Sequence, residues 1–227
     1  MSRKINFKLG DHVFIVGGTG SGKTTVAVEW IKALAIATGG RVPIHIVDSK
    51  IDGTFAPFEK KGLGIAYTEN PPTANLDGSP FVIFRPEYDD KEMYNDYFEK
   101  IYRTREPAII FIDELSSITG GTGHPPKYYS VLLKQGRSLN QSVITLNQMT
   151  RYIPLETLSQ IMHIVVMNLQ SEGDRKKLKD LIGDLANKEI PDKHGFWYRQ
   201  TSEPIKSDKG KPYYYSDYNE FFFGGNK

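Results

Sequence analysis

The run Gly17-Gly18-Thr19-Gly20-Ser21-Gly22-Lys23-Thr24-Thr25 follows the spacing G-x-x-x-x-G-K-[ST] from Gly17 to Thr24. Each residue type answers a need of phosphate binding. Glycines let backbone N–H groups converge on phosphate oxygens without interference from Cβ atoms. Lys23 would bring a cation to the same oxygens, and the Thr24 hydroxyl would be a ligand for Mg²⁺. A helix opening at this point adds the positive end of its dipole. A glycine-rich turn that binds nothing is the competing reading, but it would not require the context found here, a buried strand before and a helix after.

A second group of chemical residues closes the apolar run Ile109-Ile110-Phe111-Ile112 with Asp113-Glu114. In a sheet built around a phosphate loop this strand is expected beside the first one, its C-terminal end toward the phosphates. Asp113 would then hold Mg²⁺, directly or through water, and Glu114 would orient and deprotonate an attacking water. Two solvated acids at a strand end are the alternative. A glutamate directly after the Mg²⁺-binding aspartate marks hydrolytic ATPases that do mechanical work. A GTPase instead needs N-K-x-D, and the nearest string, Asn187-Lys188-Glu189-Ile190, has the wrong fourth residue. ATP and Mg²⁺ are the expected ligands.

Further on, Ser142–Leu146 runs into Asn147-Gln148. A polar residue at such a strand tip can sense the γ-phosphate. Gln148 is the preferred sensor and Asn147 the second choice, with a loop-capping amide as the alternative. Arg137, Arg151 and Arg175 are candidates for a finger inserted into a neighbouring subunit's site. Any one of them can also be read as an ordinary surface or salt-bridged arginine.

The elements that must position these groups alternate along the chain. Strands are expected at His12–Val16, Arg41–Val47, Phe81–Arg85, Pro107–Ile112, Ser142–Asn147 and Ile161–Met167, with a late one around Trp197. Helices are expected at Thr24–Ala37, closed by Gly39-Gly40, and at Tyr88–Tyr102, Lys127–Leu139 and Ser171–Gly183. Ile51–Thr68 reads as irregular and Glu69–Pro80 as a turn-rich loop. Buried strands alternating with helices predict an α/β fold with a mostly parallel central sheet and helices on both faces. Residues 1–200 are expected to form one ATPase domain. The aromatic-rich tail 201–227 is expected to pack on that domain or on a neighbouring subunit.

Composition narrows the classes. The 227 residues, 39% hydrophobic and 25% charged, suit one globular domain. A formal net charge of +2 excludes a strongly basic nucleic-acid coat while leaving room for a local patch. With no cysteine there is no disulfide, thiolate zinc site or Cys nucleophile, and an intracellular setting is the simplest expectation. No apolar run approaches the ~18 residues of a membrane span, and MSRKINFKLG lacks the apolar core of a secretion signal. The histidines at 12, 45, 124, 163 and 194 share no metal-ligand spacing and are read as structural or surface groups. Trp30 is expected in the core. Ser21, Thr19 and Tyr213–Tyr215 have no triad partners.

The order of these pieces resembles the FtsK–HerA superfamily of DNA-pumping ATPases. The strings are VFIVGGTGSGKTT, IVDSK (46–50), FRPEYDD (84–90), IIFIDELSS (109–117), LLKQGRSLNQSVITLNQ (132–148) and HIVVMNLQSEGDRKKL (163–178). Within it the chain is most similar to the genome-packaging ATPases of tailless, membrane-containing phages of the tectivirus type. The resemblance implies a P-loop NTPase of the RecA-like, additional-strand catalytic-glutamate type. It places Lys23 and Thr24 on phosphate and Mg²⁺, Asp113 on Mg²⁺, Glu114 as base and Gln148 as sensor. It also implies a homo-oligomeric ring, commonly of six subunits, around double-stranded DNA. Its docking site would be a capsid vertex, with capsid proteins and small viral membrane proteins as neighbours. The expected locations are the host-cell cytoplasm during assembly and the packaging vertex of the virion. Two positions depart from the family pattern. Ser49 stands where a proline is frequent, and Met149-Thr150-Arg151 follows Gln148 where relatives often read Gln-Arg-Pro, which leaves the position of a trans-acting arginine open.

Ile118–Tyr129, a glycine-rich insertion with His124 and Lys127, is a candidate DNA-contacting segment, a plain connector being the alternative. Competing functions are another DNA motor of the same superfamily and a P-loop kinase, which would want an arginine-rich lid rather than Glu114. A non-catalytic nucleotide-binding assembly protein is a further alternative, though it would not need the base.

Overall fold

The computed structural model describes residues 5–74, 78–88, 90–119, 123–150, 153–169, 171–188, 190 and 194–201. The elements run β1 (Val13–Val16), α1 (Lys23–Ala37), β2 (Ile44–Val47), α2 (Ala56–Lys60), β3 (Gly64–Tyr67), β4 (Phe81–Phe84) and α3 (Lys91–Thr104). They continue with β5 (Ala108–Ile112), α4 (Lys127–Gln135), β6 (Gln141–Asn147), α5 (Leu155–Ser159), β7 (His163–Val166), α6 (Glu172–Ile182) and β8 (Trp197–Gln200). The strands form one sheet in the order β3-β4-β2-β5-β6-β1-β7-β8. Every pairing is parallel except that of β7 with β8.

The strands are short runs of Val, Ile and Phe because both sheet faces are covered, so each side chain of the alternating pair finds apolar neighbours. Val13 and Ile15 of β1 share one apolar layer with Val26, Trp30 and Ile31 of α1 and with Phe55 and Phe58 around α2. Phe14 and Val16 turn to the other face, where Phe98 and Ile101 of α3, Leu132 of α4 and Leu178 of α6 complete the layer. Trp30 is 1% exposed, as a core residue should be. Local chemistry sets the helix starts. Asp90 caps α3 by accepting from the Glu92 N–H at 2.9 Å, and Ser171 caps α6 by accepting from the Asp174 N–H. After α1, Gly39 and Gly40 take φ of 60° and 68°, the left-handed values that turn the chain out of a helix.

The sheet corrects three expectations. The acidic strand β5 does not lie beside β1: β6 pairs with both and separates them. Residues 51–68 are not irregular throughout, since they hold the five-residue α2 and the edge strand β3. Those elements escape a periodicity reading because each is only a turn or two long and β3 is half-buried along most of its length. The helix expected over 127–139 ends at Gln135, and Gly136–Leu139 tightens into a 3-10 turn. Trp197 does sit on a strand, and it is buried. The tail expected from 201 onward lies, after Thr201, outside the described residues. Among the described residues, no helix is long and apolar enough to cross a membrane.

Candidate functional site

In a parallel sheet all strands end on one edge, and this edge collects the chemistry read from the sequence. β1 delivers the loop 17–22, β6 delivers Asn147-Gln148, β5 delivers Asp113-Glu114 and β2 delivers Asp48-Ser49-Lys50. The register makes the alignment explicit. Val16 pairs with Asn147, while Ile112 pairs with Thr145 of β6 and Val47 of β2. Because β6 intervenes, β5 stands two strand spacings from β1, roughly 10 Å. That gap is wide enough for phosphate groups and an ion between the lysine of one strand end and the carboxylates of the other.

The loop is fixed to its neighbours by backbone. The Gly17 N–H donates to Asn147 O at 3.4 Å and the Gly18 N–H to Asn168 O at 2.8 Å. Gly17 is required by crowding, since a Cβ there would lie 2.7 Å from both Met167 Cβ and Ser21 Oγ. Gly22, at φ 98°, is the left-handed residue that opens α1. Lys23, the first residue of that helix, turns its ammonium back to donate to Gly17 O at 2.7 Å and Gly18 O at 3.0 Å. Burial lowers its pKa, partly offset by attraction to Glu114 and Asp113 across the gap. Thr24 follows half-buried and Thr25 is exposed.

Opposite stands the acidic pair. Asp113 is 1% exposed, and burial raises its pKa to about 6 against the opposing pull of Lys50. Its Oδ2 is buried without a hydrogen-bond partner among the described residues. A carboxylate oxygen left in that condition is costly unless a cation meets it. Asp113 together with the Thr24 hydroxyl is an oxygen donor set of the kind Mg²⁺ takes beside phosphates. Glu114 is buried as well, and its Oε1 accepts from Ser116 Oγ at 3.0 Å and from the Gln148 N–H at 3.3 Å.

Gln148 joins the two sides. Its side-chain Oε1 accepts from Thr19 Oγ1 at 3.1 Å while its backbone holds Glu114. Asn147 is used differently: its Oδ1 accepts from the Ser116 N–H at 3.3 Å and its Nδ2 donates to Met149 O, both contacts bracing loops. A cleft of about 340 Å³ opens beside Glu114, lined by Ser116, Gln148, Met149, Pro125 and Pro154 among others.

The arginines separate. Arg137 lies in the turn before β6, at the opposite edge of the sheet from the loop, with its backbone against Gly10. Arg175 donates from Nε and Nη2 to Leu169 O at 3.0 and 2.7 Å, in the segment that follows β7. Arg151 lies outside the described residues. Of the candidate segment 118–129, Ile118 and Tyr129 are buried anchors, Lys127 starts α4 and residues 120–122 lie outside the described residues. Among the described residues no three His, Asp or Glu side chains gather as a metal cluster.

Sequence reading missed Lys50 and the pair that places it. Lys50 Nζ lies 3.4 Å from Asp113 Oδ1 and 3.5 Å from Glu114 Oε2. Behind it, buried Asp48 receives Arg85 Nε at 2.8 Å, and Arg85 Nη2 reaches Glu59 Oε1 at 2.9 Å. Burial alone would lower the Arg85 pKa, but the bonds to Glu59 and Asp48 outweigh it and raise it. Both residues stood in strings already noted, IVDSK and FRPEYDD. The available signal was their position, immediately after buried parallel strands whose ends share one edge.

No protein-family model matches the sequence, and no curated protein sequence matches it. Solved structures do. The genome packaging NTPase B204 of Sulfolobus turreted icosahedral virus 2, in complex with ATP-gammaS, aligns over 89% of this chain and 94% of its own, with 15% identity and a TM-score of 0.63. B204 of Sulfolobus turreted icosahedral virus, a DNA-packaging ATPase, aligns over 86% and 95%, with 14% identity and a TM-score of 0.66. ATPases 2 and 3 of EssC from Geobacillus thermodenitrificans align over 84% of this chain but 38% of theirs, with 12% identity and a TM-score of 0.60. The chain shares the fold of these P-loop ATPases, with β5, which ends in Asp113-Glu114, separated from the phosphate-loop strand β1 by β6.

Proposed function

We propose that this chain is an Mg²⁺-dependent ATPase that drives double-stranded DNA into a preformed viral capsid. The observation that carries hydrolysis is Gln148, which touches Thr19 of the phosphate loop with its side chain and the base Glu114 with its backbone. In this reading Lys23 leaves the carbonyls of Gly17 and Gly18 for phosphate oxygens, and Thr24 and Asp113 hold the ion. When bound, Mg²⁺ neutralises charge on the phosphates and orients them. Glu114, set by Ser116 and the Gln148 N–H, accepts the proton of the water that attacks the γ-phosphorus. Gln148 reports the presence of that phosphate to the loop after β6. The P-loop kinase alternative asks Glu114 to do nothing.

Packaging is taken from the viral B204 NTPases, whose chains the likeness covers to 94–95%. We extend the reading to a homo-oligomeric ring, a hexamer on the family pattern, docked at a capsid vertex with capsid and small viral membrane proteins nearby. It works in the host-cell cytoplasm during assembly and at the packaging vertex of the virion. Residues 1–200 form the ATPase domain, and the tail 201–227 packs on it or on a neighbour. One of Arg137, Arg151 and Arg175 reaches the adjacent subunit's site, and Lys127 at the start of α4 is the candidate DNA contact. Another FtsK–HerA-type translocase is the second reading.

The test is steady-state phosphate release at rising protein concentration, with and without linear double-stranded DNA, with Glu114→Gln as blank. A rate per chain that climbs with concentration and again with DNA supports an assembled DNA motor. A rate indifferent to both refutes it.

A further inference from the structure

Lys50 is held by a built turn. Asp48, fully buried, accepts the Ile51 N–H on Oδ1 at 3.2 Å while Arg85 occupies Oδ2. Ile51 takes φ 52°, a left-handed conformation unfavourable for a β-branched residue, yet its side chain is 53% exposed and gains no packing from it. Strain of this kind persists only where the surroundings over-determine it. What the turn achieves is visible one residue earlier. Lys50 Nζ donates to Asp113 O at 3.2 Å and to Asp113 Oδ1 at 3.4 Å, and lies 3.5 Å from Glu114 Oε2. The site therefore presents one protein cation to both carboxylates, while the remaining oxygen, Asp113 Oδ2, has no protein partner among the described residues.

We infer that Lys50 is a built-in competitor of the metal ion for the Asp113/Glu114 pair, a positioning residue that sets how readily the pair accepts a divalent cation. This rests on the assignment of Asp113 to the metal made above. Two cations on one buried carboxylate repel strongly where the effective dielectric is low, so full metal binding requires the ammonium to withdraw. Its side chain, 25% exposed, has an open path toward solvent. The competition partly offsets the charge of the pair without metal, and it makes divalent-ion binding depend on the additional ligands that phosphates bring.

The experiment measures Mn²⁺ binding without nucleotide, by the electron paramagnetic resonance of free Mn²⁺, for wild type, Lys50→Gln, Lys50→Arg, Asp113→Asn and the double variant Lys50→Gln/Asp113→Asn. Lys50→Gln should bind Mn²⁺ about tenfold more tightly than wild type. Lys50→Arg should stay near wild type, and the gain should vanish in the double variant. If Lys50→Gln does not fold by circular dichroism, Lys50→Met carries the same expectation. Equal Mn²⁺ affinity in wild type and the charge-free variants overturns the inference, as does a gain that survives in the double variant. Failure of the underlying assignment looks different: Asp113→Asn would then leave the binding of Mn²⁺ together with ATP unchanged.

Discussion

His45 lies in the middle of β2, fully buried between β4 and β5, with Nδ1 2.7 Å from the Tyr97 hydroxyl and Nε2 without a partner among the described residues. Burial depresses its pKa from 6.5 to about 3. The folded state thus binds the proton more weakly than the unfolded chain, and stability falls as pH drops through 6.5 toward 3. Linkage fixes the size. Between pH 7 and pH 5 the unfolded chain takes up most of one proton that the fold refuses, a loss of about 2 kcal/mol. Against a typical stability of about 5–15 kcal/mol that is large. His12, depressed to about 4 by burial, adds a loss in the same direction. The assay is urea unfolding of wild type and His45→Phe at pH 7, 6 and 5. Phenylalanine leaves the Tyr97 hydroxyl unpaired, but that cost does not vary over this range and cancels in the comparison. The stability difference between the two proteins should move by about 2 kcal/mol toward the variant on going from pH 7 to 5. A difference that stays constant within about 0.5 kcal/mol would show that β2 accepts a charged imidazole, and the argument from burial would be wrong.

Four further outcomes are expected. Gly17→Ala, whose Cβ would sit 2.7 Å from Met167 Cβ and Ser21 Oγ, should cost about 1–3 kcal/mol and at least tenfold in nucleotide affinity. Gly20→Ala has open space but φ 71°, so it should cost only about 1–2 kcal/mol; chemical denaturation and nucleotide titration separate the two. Glu114→Gln should lower kcat by about 10²–10⁴ while nucleotide affinity stays within about threefold, read from phosphate release and equilibrium binding. Trp30→Ala, which empties the layer between α1 and the sheet, should cost about 3–5 kcal/mol in thermal or urea melts.

The phosphate loop and the acidic pair were legible because their chemistry is local. The glycines, Lys23 and Thr24 lie within eight consecutive residues, and Asp113-Glu114 closes a run that only a buried strand explains. The covered parallel sheet was legible for the same reason: β1, β2, β4, β5, β6 and β7 are each an apolar run that needs no distant information. The order of the strands was not, because a strand's own residues do not say which neighbour it pairs with. The short α2 and β3 were hidden by their length. Lys50 was hidden by reach. Its role depends on a side chain crossing from β2 to β5, and on Asp48, Arg85 and Glu59 meeting from three different elements.

The misplaced strand is also what makes the site intelligible. Were β5 beside β1, one strand spacing of about 5 Å would separate them. With β6 between them the separation doubles, and the tip of β6 comes to lie between the loop and Glu114. Its first residue past the strand then meets both sides: the Gln148 side chain takes the Thr19 hydroxyl, and its N–H takes Glu114. A residue there feels a change on either side of the gap, which a residue on β1 or β5 would not. β6 continues into Met149 and the buried Thr150, whose N–H and hydroxyl are both held by Asp174 of α6, the N–H at 2.6 Å and the hydroxyl at 2.9 Å. Under the proposed function, a shift of Gln148 on loss of the γ-phosphate has a short route to α6 through Thr150 and Asp174, and motion imposed on α6 has the same route back to Glu114.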